Sequence, residues 1–194
     1  MLNFNKDWKH NFKLSSIAFS LVFLFFHQCL FGQQDKHWQL TPFGNKTMKV
    51  TYLPDGYTHN ENISDAVISK PSTATAVPVV FAENALLLGD SVPVVLHYVE
   101  DSIGNKGFSI LLSEDERIYG GGERAISLNR RGYKFNLYNN PWYGYEYGAD
   151  NLNYSVPFFT SSKGYGVFFD NPSSGIADIG KSDPEKMLVT FFSG

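Results

Sequence analysis

The chain has 194 residues with 16 Lys+Arg against 19 Asp+Glu, a formal charge of −3. It carries neither the basic footprint that nucleic acid requires nor a long acidic tail, so its partners are expected to be neutral. Hydrophobic residues at 43% and charged residues at 18% suit a globular core and exclude collagen-like and disordered classes, while 16% aromatics favour pleated strands.

The N-terminus reads as a leader. Lys6, Lys9 and Lys13 stand against the single acid Asp7 and are followed by the apolar run Leu14-Ser-Ser-Ile-Ala-Phe-Ser-Leu-Val-Phe-Leu-Phe-Phe26. That is the pattern of a secretory signal peptide, residues 1–32, with cleavage after Gly32 and Gln33 as the new terminus. A spanning helix needs about 20 apolar residues, and extending the run to Phe31 buries His27 and Gln28, so an uncleaved anchor fits less well. A lipid-modified Cys29 fits less well too, because Gln28 precedes it. The mature chain then has no cysteine, which excludes thiol nucleophiles and Cys-based zinc sites. Its length suits one domain with no membrane association after cleavage, exported to the periplasm or the medium.

Residues 33–76 read as an irregular lead-in with one strand candidate, Met48-Lys-Val-Thr-Tyr-Leu53, before the turn Pro54-Asp-Gly56. The stretch from Ile63 to Ile68 fits either a single helical turn or a short strand. From residue 77 to 194 the pattern changes to short apolar runs: Val77-Pro-Val-Val-Phe81, Ala85-Leu-Leu-Leu88, Val92-Pro-Val-Val-Leu-His-Tyr-Val99 and Phe108-Ser-Ile-Leu-Leu112. Gly89-Asp90 and Gly104-Asn105 with Gly107 are breaks of the kind that join neighbouring strands, and no helical apolar period is sustained between them. Pro78 and Pro93 cannot donate to a ladder and belong at strand starts or edges.

In Gly132-Tyr-Lys-Phe-Asn-Leu-Tyr138, alternation puts Tyr133, Phe135 and Leu137 on one face. Val156-Pro-Phe-Phe159, Tyr165-Gly-Val-Phe-Phe169 and Met187-Leu-Val-Thr-Phe-Phe192 continue the series. About eight short strands with regular turns and no helix predict an all-β antiparallel sandwich. The chain stops at Gly194 directly after a strand candidate, as expected of a cut through a larger protein.

Residues 119–169 hold 14 aromatics, eight of them tyrosine. Most are expected in the core. The exception is Asn139-Asn-Pro-Trp-Tyr-Gly-Tyr-Glu-Tyr-Gly148, too rich in Gly, Pro and Asn for a strand, which presents Trp142, Tyr143, Tyr145 and Tyr147 from a loop. A flat apolar face with a polar edge matches a sugar ring, and aromatics on a loop suggest binding. Tyr119-Gly-Gly-Gly-Glu-Arg124 lacks the Gly-Lys-Ser/Thr end of a phosphate loop. Its glycines instead predict positive φ or close backbone approach, with Glu123 and Arg124 fixing the turn by charge-assisted hydrogen bonds.

Tyr119-Gly-Gly-Gly-Glu-Arg124, Asn129-Arg-Arg-Gly132, Tyr138-Asn139, Tyr154-Ser-Val-Pro-Phe-Phe159, Gly164-Tyr-Gly-Val-Phe-Phe-Asp-Asn171 and Asp178-Ile-Gly180 follow in that order. Together they resemble the N-terminal β-sandwich domain of glycoside hydrolase family 31, the α-glucosidase family. The resemblance implies a galactose mutarotase-like sandwich that precedes a catalytic (β/α)8 barrel carrying an aspartate nucleophile and an aspartate acid/base. Hydrolysis of α-glucosides then retains configuration. It implies no cofactor, no catalytic residue in this chain, and two partners: an α-linked oligosaccharide and the chain's own C-terminal barrel.

In the family the sandwich extends a loop over the acceptor side of the pocket, and the matching segment here makes Asn139, Asn140, Trp142, Tyr143 and Tyr145 the candidate substrate-binding residues. Many relatives read Asn-x-Asp-x-x-x-Tyr there. Asn139 and Tyr145 match, but Pro141 replaces the Asp, which moves the weight toward stacking by Trp142 or Tyr143 and keeps open an oligosaccharide 4-α-glucosyltransferase. A stand-alone carbohydrate-binding sandwich is the reading from another class.

Asp170, Asp178 and Asp183 read as turn acids, Asp115 and Glu116 have no evident partner, and His37, His59 and His97 are too isolated for a metal triad. Asn45-Lys-Thr47, Asn62-Ile-Ser64 and Asn153-Tyr-Ser155 match the glycosylation pattern without further support.

Overall fold

The computed structural model describes residues 37–58, 66–67, 70–73, 77–82, 85–89, 93–141, 143–149 and 153–193. The leader, the stretch 63–65, the Asn62 acceptor site, His59 and Trp142 lie outside the described residues. Among the described residues there are twelve strands and no helix: β1 (Trp38–Pro42), β2 (Met48–Tyr52), β3 (Val79–Ala82), β4 (Ala85–Leu88), β5 (Val94–Glu100), β6 (Lys106–Leu111), β7 (Ile118–Gly120), β8 (Tyr133–Leu137), β9 (Phe158–Ser161), β10 (Gly166–Phe168), β11 (Gly175–Ile179) and β12 (Lys186–Phe191).

All pairings are antiparallel. Seven strands form one sheet in the order β3-β4-β5-β6-β12-β11-β8, three form a second in the order β10-β9-β7, and β1 pairs with β2 alone.

Register and pleat decide which side of the large sheet is buried. Leu96, Ile110, Met187, Ile179 and Tyr133 face one another along one row, and Tyr98, Phe108, Val189, Ala177 and Phe135 along the next. Ile110, Ile179, Val189 and Ala177 are fully buried. On the opposite face the row His97, Ser109, Leu188, Asp178, Lys134 is mostly polar, as a period of two requires. The alternation read from 133–137 is therefore the alternation observed, with Phe135 and Leu137 inside.

The buried face is covered by a second layer in two pieces. The three-stranded sheet inserts Ile118 and Phe159, and Phe159 packs 6.3 Å from Phe135 and edge-on to Phe169 at 6.2 Å. The β1–β2 hairpin inserts Trp38, which lies edge-on to Tyr52 at 4.8 Å, while Tyr52 stacks on Tyr98 at 4.0 Å. The lead-in is thus more ordered than its polar composition suggests.

Pro78 and Pro93 immediately precede β3 and β5, where no ladder donor is needed. Asp101 closes the β5–β6 turn by accepting from the Ile103 and Asn105 amides at 3.0 and 2.9 Å.

Replacing Trp38 with Ala removes the aromatic core of the hairpin and is expected to cost about 3–5 kcal/mol. A urea titration checks this; a loss under about 1 kcal/mol would mean that the hairpin is not integral to the core.

Candidate functional site

Strand β7 runs into three glycines with φ of 108°, 80° and 84° at Gly120, Gly121 and Gly122. A Cβ at Gly121 would sit 2.9 Å from the Phe135 ring and 3.1 Å from that of Phe159. One at Gly122 would sit 2.3 Å from the Tyr154 carbonyl oxygen. Both the backbone angle and the space therefore demand glycine. The Gly121 amide donates to Phe158 O at 3.0 Å, and the Glu123 amide to Tyr154 O at 2.8 Å.

The turn directs its carbonyl oxygens inward, where two buried arginines meet them. Arg130 donates to Gly120 O at 2.9 Å, Ser127 O at 2.7 Å, Ile126 O at 3.2 Å and Gly122 O at 3.4 Å. Burial pulls its pKa down from the ordinary value, yet a guanidinium remains charged at any working pH. Arg124 donates to Gly121 O at 3.1 Å and lies 4.5 Å from the Phe135 ring centroid. The expected charge-assisted bonds thus come from Arg124 and Arg130, while the Glu123 contribution seen here is its main-chain amide. Asn129 Oδ1 accepts from the Ile118 and Arg131 amides, both at 3.2 Å. The Gly-Gly-Gly-Glu-Arg and Asn-Arg-Arg motifs together form one backbone clamp.

The aromatic loop 139–148 grows from this clamp at both ends. At its start, Asn139 Oδ1 accepts from the Ser155 amide at 2.6 Å, and Arg124 Nη2 donates to Ser155 Oγ at 2.5 Å. Ser155 Oγ also lies 3.2 Å from both the amide and the carbonyl oxygen of Tyr138. At its end, the Gly148 amide donates to Ala125 O at 2.6 Å. The Tyr147 and Tyr133 hydroxyls meet at 3.1 Å, a bond that raises the Tyr147 pKa.

Between these anchors the described tyrosines face outward. Tyr143 is 97% exposed and Tyr145 45%, with Asn139 exposed and Asn140 half-buried. The candidate residues described thus share one loop, and Asn139 is the one whose side-chain oxygen is committed to holding it.

Two acids have partners that sequence reading did not supply. Glu116, buried at 3% exposure, accepts from the Ser113 amide at 2.9 Å, Ser161 Oγ at 2.5 Å and Tyr165 Oη at 2.6 Å. Burial and then this bond raise the Tyr165 pKa. The Ser-x-x-Glu spacing at 113–116 is the legible signal, since a glutamate three residues on can reach back to the serine amide. Asp115 pairs with Lys163 at 2.7 Å. Asp178 and Asp183 act as turn acids, accepting from the Lys181 and Glu185 amides at 2.9 and 3.0 Å. Among the described residues, no three His, Cys, Asp or Glu side chains converge as a metal site, and no helix is long and apolar enough to cross a membrane.

The family described as the glycosyl hydrolase 31 N-terminal galactose mutarotase-like domain matches residues 12–178. The chain belongs to that family.

The match begins ahead of the apolar run at 14–26. An alpha-glucosidase from Saccharolobus solfataricus is 36% identical over 78 residues, covering 39% of this chain and 11% of that protein. The Flavobacterium johnsoniae GH31 dextranase complexed with glucose superposes with a TM-score of 0.63 at 24% identity, covering 82% of this chain and 23% of its own. The cycloalternan-forming enzyme from Listeria monocytogenes, in complex with a pentasaccharide substrate, gives 0.53 at 14% identity over 79% of this chain and 16% of its own. The two structural likenesses establish the fold, and the chain spans under a quarter of the length of each of these relatives. The antiparallel sandwich is therefore the mutarotase-like domain of the GH31 family.

Gly122→Ala combines a left-handed backbone with a collision against main chain and is expected to cost about 3 kcal/mol or more. Gly148→Ala, with φ of 92° but nothing within 4 Å, is expected to cost about 1 kcal/mol. Urea midpoints compare the two; equal losses would mean that the turn can shift away from residues 154–156.

The hydrogen bonds from Lys163 and Lys186 hold Asp115 and Asp183 below the usual aspartate range. A lowered folded pKa contributes stability above the unfolded value, and that contribution is lost as pH falls through the folded one, here below about pH 4. The stability gap between wild type and Lys163→Met is expected to close between pH 5 and pH 2 in urea titrations; a pH-independent gap would rule the ion pair out as its source.

Proposed function

We propose that this sandwich is the N-terminal, non-catalytic domain of an exported retaining α-glycosidase acting on α-glucosides, and that loop 139–148 borders the acceptor side of its active site. The carrying observation is a loop that is rooted at both ends in the family-matching clamp while its tip displays Tyr143 and Tyr145 to solvent. Membership of the GH31 N-terminal domain family and the alpha-glucosidase relative support the reaction class. The glucose and pentasaccharide held by the two structural relatives support an oligosaccharide as ligand. Export rests on the leader-like residues 1–32.

The two carboxylates of a retaining mechanism belong to the barrel that follows the sandwich in the family. This chain supplies positioning. Trp142 and Tyr143 offer ring faces to the CH surface of an acceptor sugar, and Tyr145 offers a hydroxyl. Asn139, its oxygen held by Ser155, has its amide hydrogens to offer a sugar oxygen, and Asn140 flanks it. The pairing of two aromatics with Pro141 favours a second reading, transfer of glucose to an acceptor sugar instead of water, because the acceptor held in attack position takes the larger share of turnover.

The full reading frame, expressed and given maltotetraose, separates the two. Glucose with shorter chains marks a hydrolase, and longer chains mark the transferase. Tyr143→Ala is expected to lower the rate of transfer to added maltose about tenfold, roughly 1.4 kcal/mol, with hydrolysis of an aryl α-glucoside within twofold. Absence of turnover on every α-glucoside, or α-glucosidase activity from residues 33–194 alone, overturns the proposal.

A further inference from the structure

We propose that Arg124, acting through the Ser155 hydroxyl, is the positioning residue that sets the presentation of loop 139–148 and with it the use of acceptor sugars; this rests on the acceptor-side reading above.

Four geometric facts carry it. Arg124 is buried and its guanidinium is fixed twice before it reaches Ser155, by Gly121 O and by the Phe135 ring. Ser155 Oγ is the point where three segments meet: it receives Arg124 Nη2 and bridges the amide and carbonyl oxygen of Tyr138, the residue that leads into the loop. The Ser155 amide then holds Asn139, the first loop residue. The far end of the loop is tied to Ala125, the immediate neighbour of Arg124.

One buried cation with a rigid fork therefore stands between the two roots of the loop. A charged donor makes the stronger bond and a planar fork fixes direction, so Ser155 Oγ is held in place rather than free to rotate. Loops carry function when a rigid scaffold positions them, and a small misplacement at the root displaces the tip. Tyr154, next to Ser155, accepts from Glu123 through its carbonyl, so the clamp grips the whole 154–155 segment from the same turn.

The test uses the full-length protein with two independent readouts. Ser155→Ala removes the hydroxyl and little else, Ser155→Thr restores it, and Arg124→Lys keeps charge without the fork. Hydrogen exchange is followed at residues 138–140 and 148, with β8 and β11 as the reference for intact folding. Ser155→Ala and Arg124→Lys are expected to speed exchange at the loop roots about tenfold, leave β8 and β11 unchanged, and raise KM for an acceptor sugar about fivefold or more. The kcat for hydrolysis of an aryl α-glucoside should stay within twofold, and Ser155→Thr should return both readouts toward wild type.

Unchanged exchange at 138–140 with β8 and β11 protected overturns the proposal. So does an equal loss of protection across β8, β11 and the loop, which would make the contact one more part of the core. So does altered exchange with an unchanged acceptor KM in an active enzyme. A full-length protein with no turnover on any α-glucoside refutes the functional reading, and the exchange comparison then still decides whether Arg124 and Ser155 hold the loop.

Discussion

The packing of this domain depends on a turn with no room for a side chain. Gly121 passes between the rings of Phe135 and Phe159, and Gly122 lies against the main chain of residues 154–156. A backbone pressed that deeply into the protein loses water from its carbonyl oxygens, and unpaired buried acceptors are costly. Arg130 answers with contacts to Gly120 O and Gly122 O of this turn and to Ile126 O and Ser127 O just beyond it, and Arg124 with one to Gly121 O. A buried guanidinium is itself tolerable only when its protons are used. Glycines and arginines therefore require each other: the first create the inward carbonyls, and the second need them.

That dependence explains why the second layer of the sandwich can be in two pieces. The three-stranded sheet is short, with strands of three and four residues, too few to form a stable layer alone. It is fixed to the large sheet by Phe159 against Phe135 and by the clamp that joins β7 to the residues before β9. At the other end, the β1–β2 hairpin is held by apolar packing, through the rings of Trp38, Tyr52, Tyr98 and Phe108 and the side chains of Leu40 and Val50. One edge adds backbone and charge to its ring packing, and the other rests on apolar area.

Much of this was legible. The alternation at 133–137, the prolines at 78 and 93, and the demand for glycine at 120–122 follow from chain geometry, and the structure shows each. Three strands escaped reading. β1 mixes polar residues and ends in Pro42, and its one buried anchor, Trp38, finds its partners only in the folded chain. β7 is three residues long and dissolves into glycine. β11 opens on Gly175 and carries Asp178, yet it is an inner strand next to the edge strand β8, because pairing on both sides outweighs local preference.

The aromatic loop was visible as composition, but its roots were not, since Arg124 and Ser155 lie 31 positions apart and Asn139 and Ser155 lie 16 apart. Glu116 makes the same point: its serine three residues back could be read, whereas Ser161 and Tyr165, 45 and 49 residues away, could not.

The contrast between root and tip bears on what the loop is for. Core aromatics here are bought by burial, whereas Tyr143 at 97% exposure gains nothing from the domain that carries it. A free loop with such a tip would lose conformational freedom on meeting a ligand and bind weakly for that reason. Tying residues 138 and 139 to Ser155 and residue 148 to Ala125 places part of that ordering cost in the folding of the domain. The same glycine turn that makes the sandwich cohere is thus linked, through Arg124 and Ser155, to the roots of an exposed aromatic loop.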